Sequence, residues 1–183
     1  MRVFFVMTLL VIVVGVAVVP TGVPRNVFSE AEPSKIPNAL LAAAKFERLS
    51  SYAVSIAVSD HVVSRGPGMP QPETLLTYIR GRLFAGEVQM TAFALERAYI
   101  TSQIQGWELA ANLCFGKRAE ELTLADAAIL LIHIRSPSTV WDARADELRA
   151  RRNAFVQGMV ENEYAAPNDA ASAIMSPVSF CKA

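Results

Sequence analysis

Between Arg2 and Arg25 the chain carries no charge, and from Val3 to Val19 it reads VFFVMTLLVIVVGVAVV, broken only by Thr8 and Gly15. Nothing else in the sequence restricts the fold as strongly. A helix over the uncharged stretch is about 33 Å long, against a hydrocarbon core of about 30 Å, so it is long enough to cross a bilayer. The expectation is a single transmembrane anchor over residues 1–24. A cleaved secretory signal competes with it. Such a signal has an apolar region of about 7 to 15 residues closed by a small-x-small site, whereas this run is longer and leaves through Val18-Val19-Pro20. Either reading exports the rest of the chain, because the early positive charges, Arg2 and the amino terminus, stay inside.

The 183 residues leave one domain's worth of chain beyond the anchor. The hydrophobic fraction of 52% and mean hydropathy of +0.31 owe much of their excess to the first two dozen residues. Seventeen basic and seventeen acidic residues cancel, which argues against a nucleic-acid partner, since such binding requires a basic face. The two cysteines, Cys114 and Cys181, are too far apart for a metal or redox motif. A disulfide between them is open on an oxidising side of a membrane, although Cys114 reads first as a small buried hydrophobe. His133, inside Ile129-Leu130-Leu131-Ile132-His133-Ile134, reads as a core histidine. No metal or other cofactor is implied.

Residues 25–35 have the proline-rich polar composition of a linker. A helical domain is expected over 36–165 and a loosely ordered tail over 166–183. Pro37 and Asn38 open an alanine-rich helix. Ser51 to Val63 suits a strand or a helix equally, and periodicity leaves both open. Glu73 to Thr101 has helix-forming residues and apolar groups at Leu76, Ile79, Leu83, Phe93 and Tyr99, with Gly81 and Gly86 as weak points. Trp107, Ala110, Ala111 and Cys114 fall at helical spacing before a Gly116-Lys117 stop. Thr123 and Asp126 make a capping-box start for a buried helix to Ile134, and a last helix runs from Ala143 to Val160 with Glu147 and Arg151 at i,i+4.

The ordered pieces Tyr99-Ile100-Thr101, Gly106-Trp107-Glu108-Leu109-Ala110-Ala111, Phe115-Gly116-Lys117, Leu122-Thr123-Leu124-Ala125-Asp126-Ala127-Ala128, Pro137-Ser138 and Arg151-Arg152-Asn153 resemble glycosyltransferase family 51. This is the transglycosylase domain of bifunctional penicillin-binding proteins and monofunctional peptidoglycan transglycosylases. The resemblance implies an all-α, lysozyme-like domain behind one N-terminal transmembrane helix. It also implies a bacterial cytoplasmic membrane location with the bulk of the chain outside, and a lipid-linked glycan or peptidoglycan strand as partner, with a cell-wall synthase as a further one. Family members polymerise lipid II: a glutamate takes the proton of the acceptor hydroxyl, and basic groups steady the departing pyrophosphate.

The reactive part of the pattern is missing. The family's Glu-Asp, Phe, His-x-Gly string is absent. Ser59-Asp60-His61 places serine where the glutamate belongs, and Leu41-Ala42-Ala43-Ala44-Lys45 places alanine there. A third register sets Ser50 to Ser55 on the family's Ser-Thr-x-Thr-Gln-Gln, with valine and serine in place of both glutamines, and the Arg-Lys-x-x-Glu motif is lost near Leu75 to Ile79. The resemblance thus implies a scaffold whose catalytic motifs are eroded. Glu47, Glu87 and Glu96 are the weak catalytic candidates, each equally an ordinary helix glutamate. Arg151 and Arg152 are substrate-binding candidates by the motif and a salt-bridged helix face by spacing. Trp107, Phe115, Phe84, Met90, Phe93 and Leu95 read as core before they read as a sugar platform or a membrane-dipping surface. Two function classes remain: a lipid II polymerase, or a non-catalytic transglycosylase-like module that binds glycan or a synthase partner.

Overall fold

The structure, a computed structural model, describes the backbone of residues 23, 26–62, 71–101, 103–136 and 144–179, and the side chains of all of these except 59–62 and 71–74. Among the described residues it is helical throughout, with no β-strand and one isolated bridge, Tyr99 to Gln105. Among the described residues eight α-helices succeed one another in order: α1 Asn38–Phe46, α2 Ser50–Val62, α3 Gln71–Arg80, α4 Gly86–Arg97, α5 Trp107–Phe115, α6 Leu124–Arg135, α7 Ala145–Glu161 and α8 Pro167–Met175. No helix among the described residues is long and apolar enough to cross a membrane. The expected anchor falls, but for Val23, outside them.

The helix α6 sits at the centre because its sequence has almost no polar face. Ala127, Ala128, Leu130 and Leu131 are all buried, and α1 and α7 pack against it. Its start is a full capping box: the Thr123 hydroxyl accepts from the Asp126 amide at 3.3 Å, and Asp126 accepts from the Thr123 amide at 2.9 Å. His133 is buried as expected, its Nδ1 donating to the Ile129 carbonyl at 2.8 Å. The ambiguous segment after Ser50 is helix α2. Its buried residues Ala53, Val54 and Ala57 recur at helical spacing, and the two alanines let α4 approach closely.

Several expectations are corrected. The supposed linker over 25–35 packs into the core. Two 3-10 turns, Val27–Glu30 and Pro33–Lys35, bury Val27 and Phe28, and the Phe28 ring meets Phe93 edge-on at 5.1 Å. The helical stretch read from Glu73 to Thr101 breaks at its two weak points, giving α3, a π-helical turn Gly81–Ala85, and α4, which starts at Gly86 and ends short of Thr101 at Arg97. Gly81 accounts for the close packing there, since a Cβ would lie 2.8 Å from the Met90 sulfur. The loose tail is in part helix α8, packed on α7 and α6. Phe84 is 60% exposed, beside exposed Leu83 and Val88, while Met90, Phe93 and Leu95 are core. Cys114 is buried but disulfide-bonded, not a free thiol, and the chain's other cysteine, Cys181, lies outside the described residues.

Candidate functional site

Several of the sequence pieces that carried the resemblance have a mechanical job. Gly106 holds φ +84°, and a Cβ on it would stand 2.8 Å from the Glu96 carbonyl oxygen, so only glycine lets the loop after α4 turn into α5. Gly116 closes α5 in the left-handed conformation, φ 62°. The next residue, Lys117, then places its ammonium 2.5 Å from Asp126, whose side chain is nearly buried and which also caps α6 through Thr123. Phe-Gly-Lys and Leu-Thr-Leu-x-Asp-Ala-Ala are therefore two halves of one joint.

Arg152 is a third such device, and it revises the sequence reading. Its side chain is wholly buried. The guanidinium donates to the carbonyls of Ser176 at 2.7 Å, Ile174 at 2.9 Å and Pro177 at 3.4 Å, and to Asn153 Oδ1 at 3.0 and 3.1 Å. These main-chain oxygens close the C-terminal end of α8, where helix carbonyls lack partners and carry the negative end of the helix dipole. Burial, then the neighbouring charge of Arg149, lowers its pKa from the usual arginine value. A side chain so enclosed is withdrawn from solvent. Arg151, by contrast, points outward to Glu147 at 2.5 Å, the i,i+4 pair read from the sequence.

Of the three glutamates, Glu96 lines one of the two clefts described below. Glu47 caps the end of α1 and pairs with Arg135 at the end of α6, its side chain only 14% exposed. Glu87, in the first turn of α4, faces Arg82 at 3.6 Å and is half exposed. Glu96 lines an open groove of about 460 Å³ with Glu30, Glu32 and Glu108, and with the cations Lys35 and Arg97. Trp107 contributes to the wall but is itself buried, its indole nitrogen without a hydrogen-bond partner. Asp60 and Glu73 have side chains outside the described residues.

The groove's charges are already matched with one another. Glu96 Oε1 accepts from the Glu32 amide at 3.0 Å, Glu32 pairs with Lys35 at 2.6 Å, and Glu30 lies 3.4 Å from Arg97. The Lys35 pKa is raised, first by its hydrogen bond to Glu32, then by that carboxylate's charge, with Glu108 and Glu96 adding. Four carboxylates thus face two cations, both paired, and the surplus is negative. Sequence reasoning missed Glu30, Glu32 and Lys35 because they sit in the segment read as a linker. The apolar pair Val27-Phe28 was the signal that this segment folds onto the domain. Among the described residues no group of three or more His, Cys, Asp or Glu side chains is arranged to hold a metal ion.

Comparison with known proteins bears on the same half of the chain. The transglycosylase family model matches residues 87–160. Penicillin-binding protein 1A of Rickettsia felis is 30% identical over 111 residues, which cover 60% of this chain and 14% of that protein. The Rickettsia bellii protein of the same name is 28% identical over the same shares. The crystal structure of penicillin-binding protein 1A from Haemophilus influenzae superposes with a TM-score of 0.47 at 21% identity, covering 81% of this chain and 18% of that one. The chain thus spans only a small part of the length of these relatives. Residues 87–160 are thus similar to the transglycosylase domain of glycosyltransferase family 51.

Proposed function

We propose that this chain is a membrane-anchored, extracytoplasmic member of the peptidoglycan transglycosylase family with eroded catalytic motifs, acting as a lysozyme-like module that binds glycan or a cell-wall synthase and does not polymerise lipid II. One observation carries the reading. The groove that holds Glu96, the only one of the three candidate glutamates in either described cleft, is acidic in surplus, and its two cations are committed to Glu30 and Glu32. A lipid pyrophosphate donor is an anion, and such a groove repels it where a polymerase must attract it. Of the two arginines that match the family motif, Arg152 is spent on closing α8 and Arg151 pairs with Glu147. The uncharged run between Arg2 and Arg25 supports the anchor, and the disulfide at Cys114 supports an oxidising compartment.

The test uses the purified full-length chain in detergent with lipid II as substrate, beside co-sedimentation with isolated peptidoglycan. The expected outcome is no glycan chain growth together with saturable sedimentation. Chain growth above a protein-free control overturns the non-catalytic reading.

A further inference from the structure

We propose that a second cleft, of about 480 Å³ between the start of α1, the start of α6 and helix α8, is a binding site for a neutral saccharide. It shares no lining residue with the acidic groove. Its one aromatic is Tyr164, 42% exposed and steadied on one edge by Phe46, with ring centroids 5.7 Å apart at 61°. The chain delivers Tyr164 there through Glu163, a residue at φ 63°, with the Tyr164 amide donating to the Met159 carbonyl at 2.8 Å. The ring is packed on one side and still presents surface to solvent.

Around it the cleft offers a carboxylate, Asp169, and an amide, Asn38, both exposed. Among the described residues neither side chain makes a hydrogen bond or ion pair. The rest of the lining is mostly small, with Ala39, Ala42 and Ala166 among five alanines, and adds the hydroxyl-bearing Thr123, Ser172 and Ser176 and the apolar Leu124. A pyranose has the complementary surface: a C–H face that lies on an aromatic ring, and rim hydroxyls that donate to a carboxylate and bridge an amide. The volume falls within the range of small-ligand sites lined mainly by apolar groups with a few polar ones. No lysine or arginine lines the cleft, and Asp169 opposes the pull of the helix starts on anions, so a neutral ligand is favoured over a phosphorylated or acidic one. An ammonium ligand would call for more than one acid or a cage of rings, and the cleft has one of each.

The inference deepens the proposed function, naming where glycan would sit, and rests on it only for the presence of glycan beside the protein. The test is saturation-transfer NMR on the full-length chain in detergent micelles, titrated with triacetylchitotriose. Saturable transfer to the ring C–H protons is expected. Affinity should fall about tenfold in Tyr164→Ala and severalfold in Asp169→Asn, and be retained in Tyr164→Phe, which keeps the ring. Absence of saturable transfer overturns the inference. So does transfer indifferent to both Tyr164→Ala and Asp169→Asn, or binding of a lysine peptide through Asp169 without binding of the sugar. Lipid II polymerisation by the same preparation would contradict the proposed function, yet leave this site standing if the variants lose the sugar as described.

Discussion

Replacing Arg152 with methionine separates a structural role from a substrate-binding one. The guanidinium satisfies three main-chain carbonyls at the end of α8 and carries no carboxylate partner in the hydrogen bonds that hold it. Methionine keeps most of the buried volume and removes the desolvated charge, which by itself is favourable. The carbonyls of Ile174, Ser176 and Pro177 then lose a charged donor, at about 1 to 3 kcal/mol for each that stays dry. They lie near the C-terminal end of the chain, so the segment can lift into water, which caps the loss. The net destabilisation expected is about 2 to 3 kcal/mol. With a urea m-value of about 2 kcal/mol per molar, the unfolding midpoint of the full-length chain falls by about 1 M or more. Hydrogen exchange should locate the loss in α8 and the residues after it, with α6 keeping its protection until global unfolding. Arg152→Lys should fall between, keeping the charge but losing the fork. A variant within about 0.5 kcal/mol of wild type that no longer binds peptidoglycan would refute the reasoning and make Arg152 a ligand-binding group.

Other positions give further expectations. Gly106→Ala meets both a positive φ and the Glu96 carbonyl, and should lower stability by about 2 to 3 kcal/mol, a fall in Tm of about 5 to 10 °C by calorimetry. Asp126→Ala removes the α6 cap and the Lys117 pair together and should cost about 2 kcal/mol in urea unfolding, whereas Lys117→Met, which leaves the cap intact, should cost about 1 kcal/mol or less. Burial lowers the His133 pKa below its usual 6.5, opposed by the Ile129 carbonyl. Below about pH 6.5 the unfolded chain binds a proton that the folded one refuses, so stability is complete above that pH and declines as pH falls through it toward the folded value. His133→Gln should flatten that part of the pH–stability profile, measured by urea midpoints between about pH 7.5 and 5.

The helices with strong local signals were legible from residues alone. The Thr123–Asp126 box, the Gly116 stop and the continuous apolar run of α6 agree with one another, and local agreement of that kind specifies an element without tertiary information. The segment from Val27 to Lys35 was not legible, because prolines and charges there set short turns whose purpose is to bring Val27 and Phe28 onto α4. That is a long-range contact with no sequence period. The tail failed for the same reason: α8 depends on Arg152, more than twenty residues upstream, to satisfy its last carbonyls. At the candidate site the sequence offered Glu47, Glu87 and Glu96 together as weak catalytic candidates, and the fold puts only Glu96 of the three in the acidic groove. Its actual companions, Glu30, Glu32 and Glu108, come from two other segments. A motif match placed Arg152 among ligand-binding groups, and only burial distinguishes a motif cation that binds substrate from one that holds a helix end.

The central claim is that what remains of the family pattern holds the fold, and that the chemistry is gone. Glycan polymerisation by the full-length chain, set beside Glu47→Gln and Glu96→Gln, tests it most directly. The account predicts that all three proteins leave lipid II unpolymerised. Chain growth by the wild type that disappears in Glu96→Gln or Glu47→Gln, with unfolding midpoints unchanged, would contradict it and identify the base.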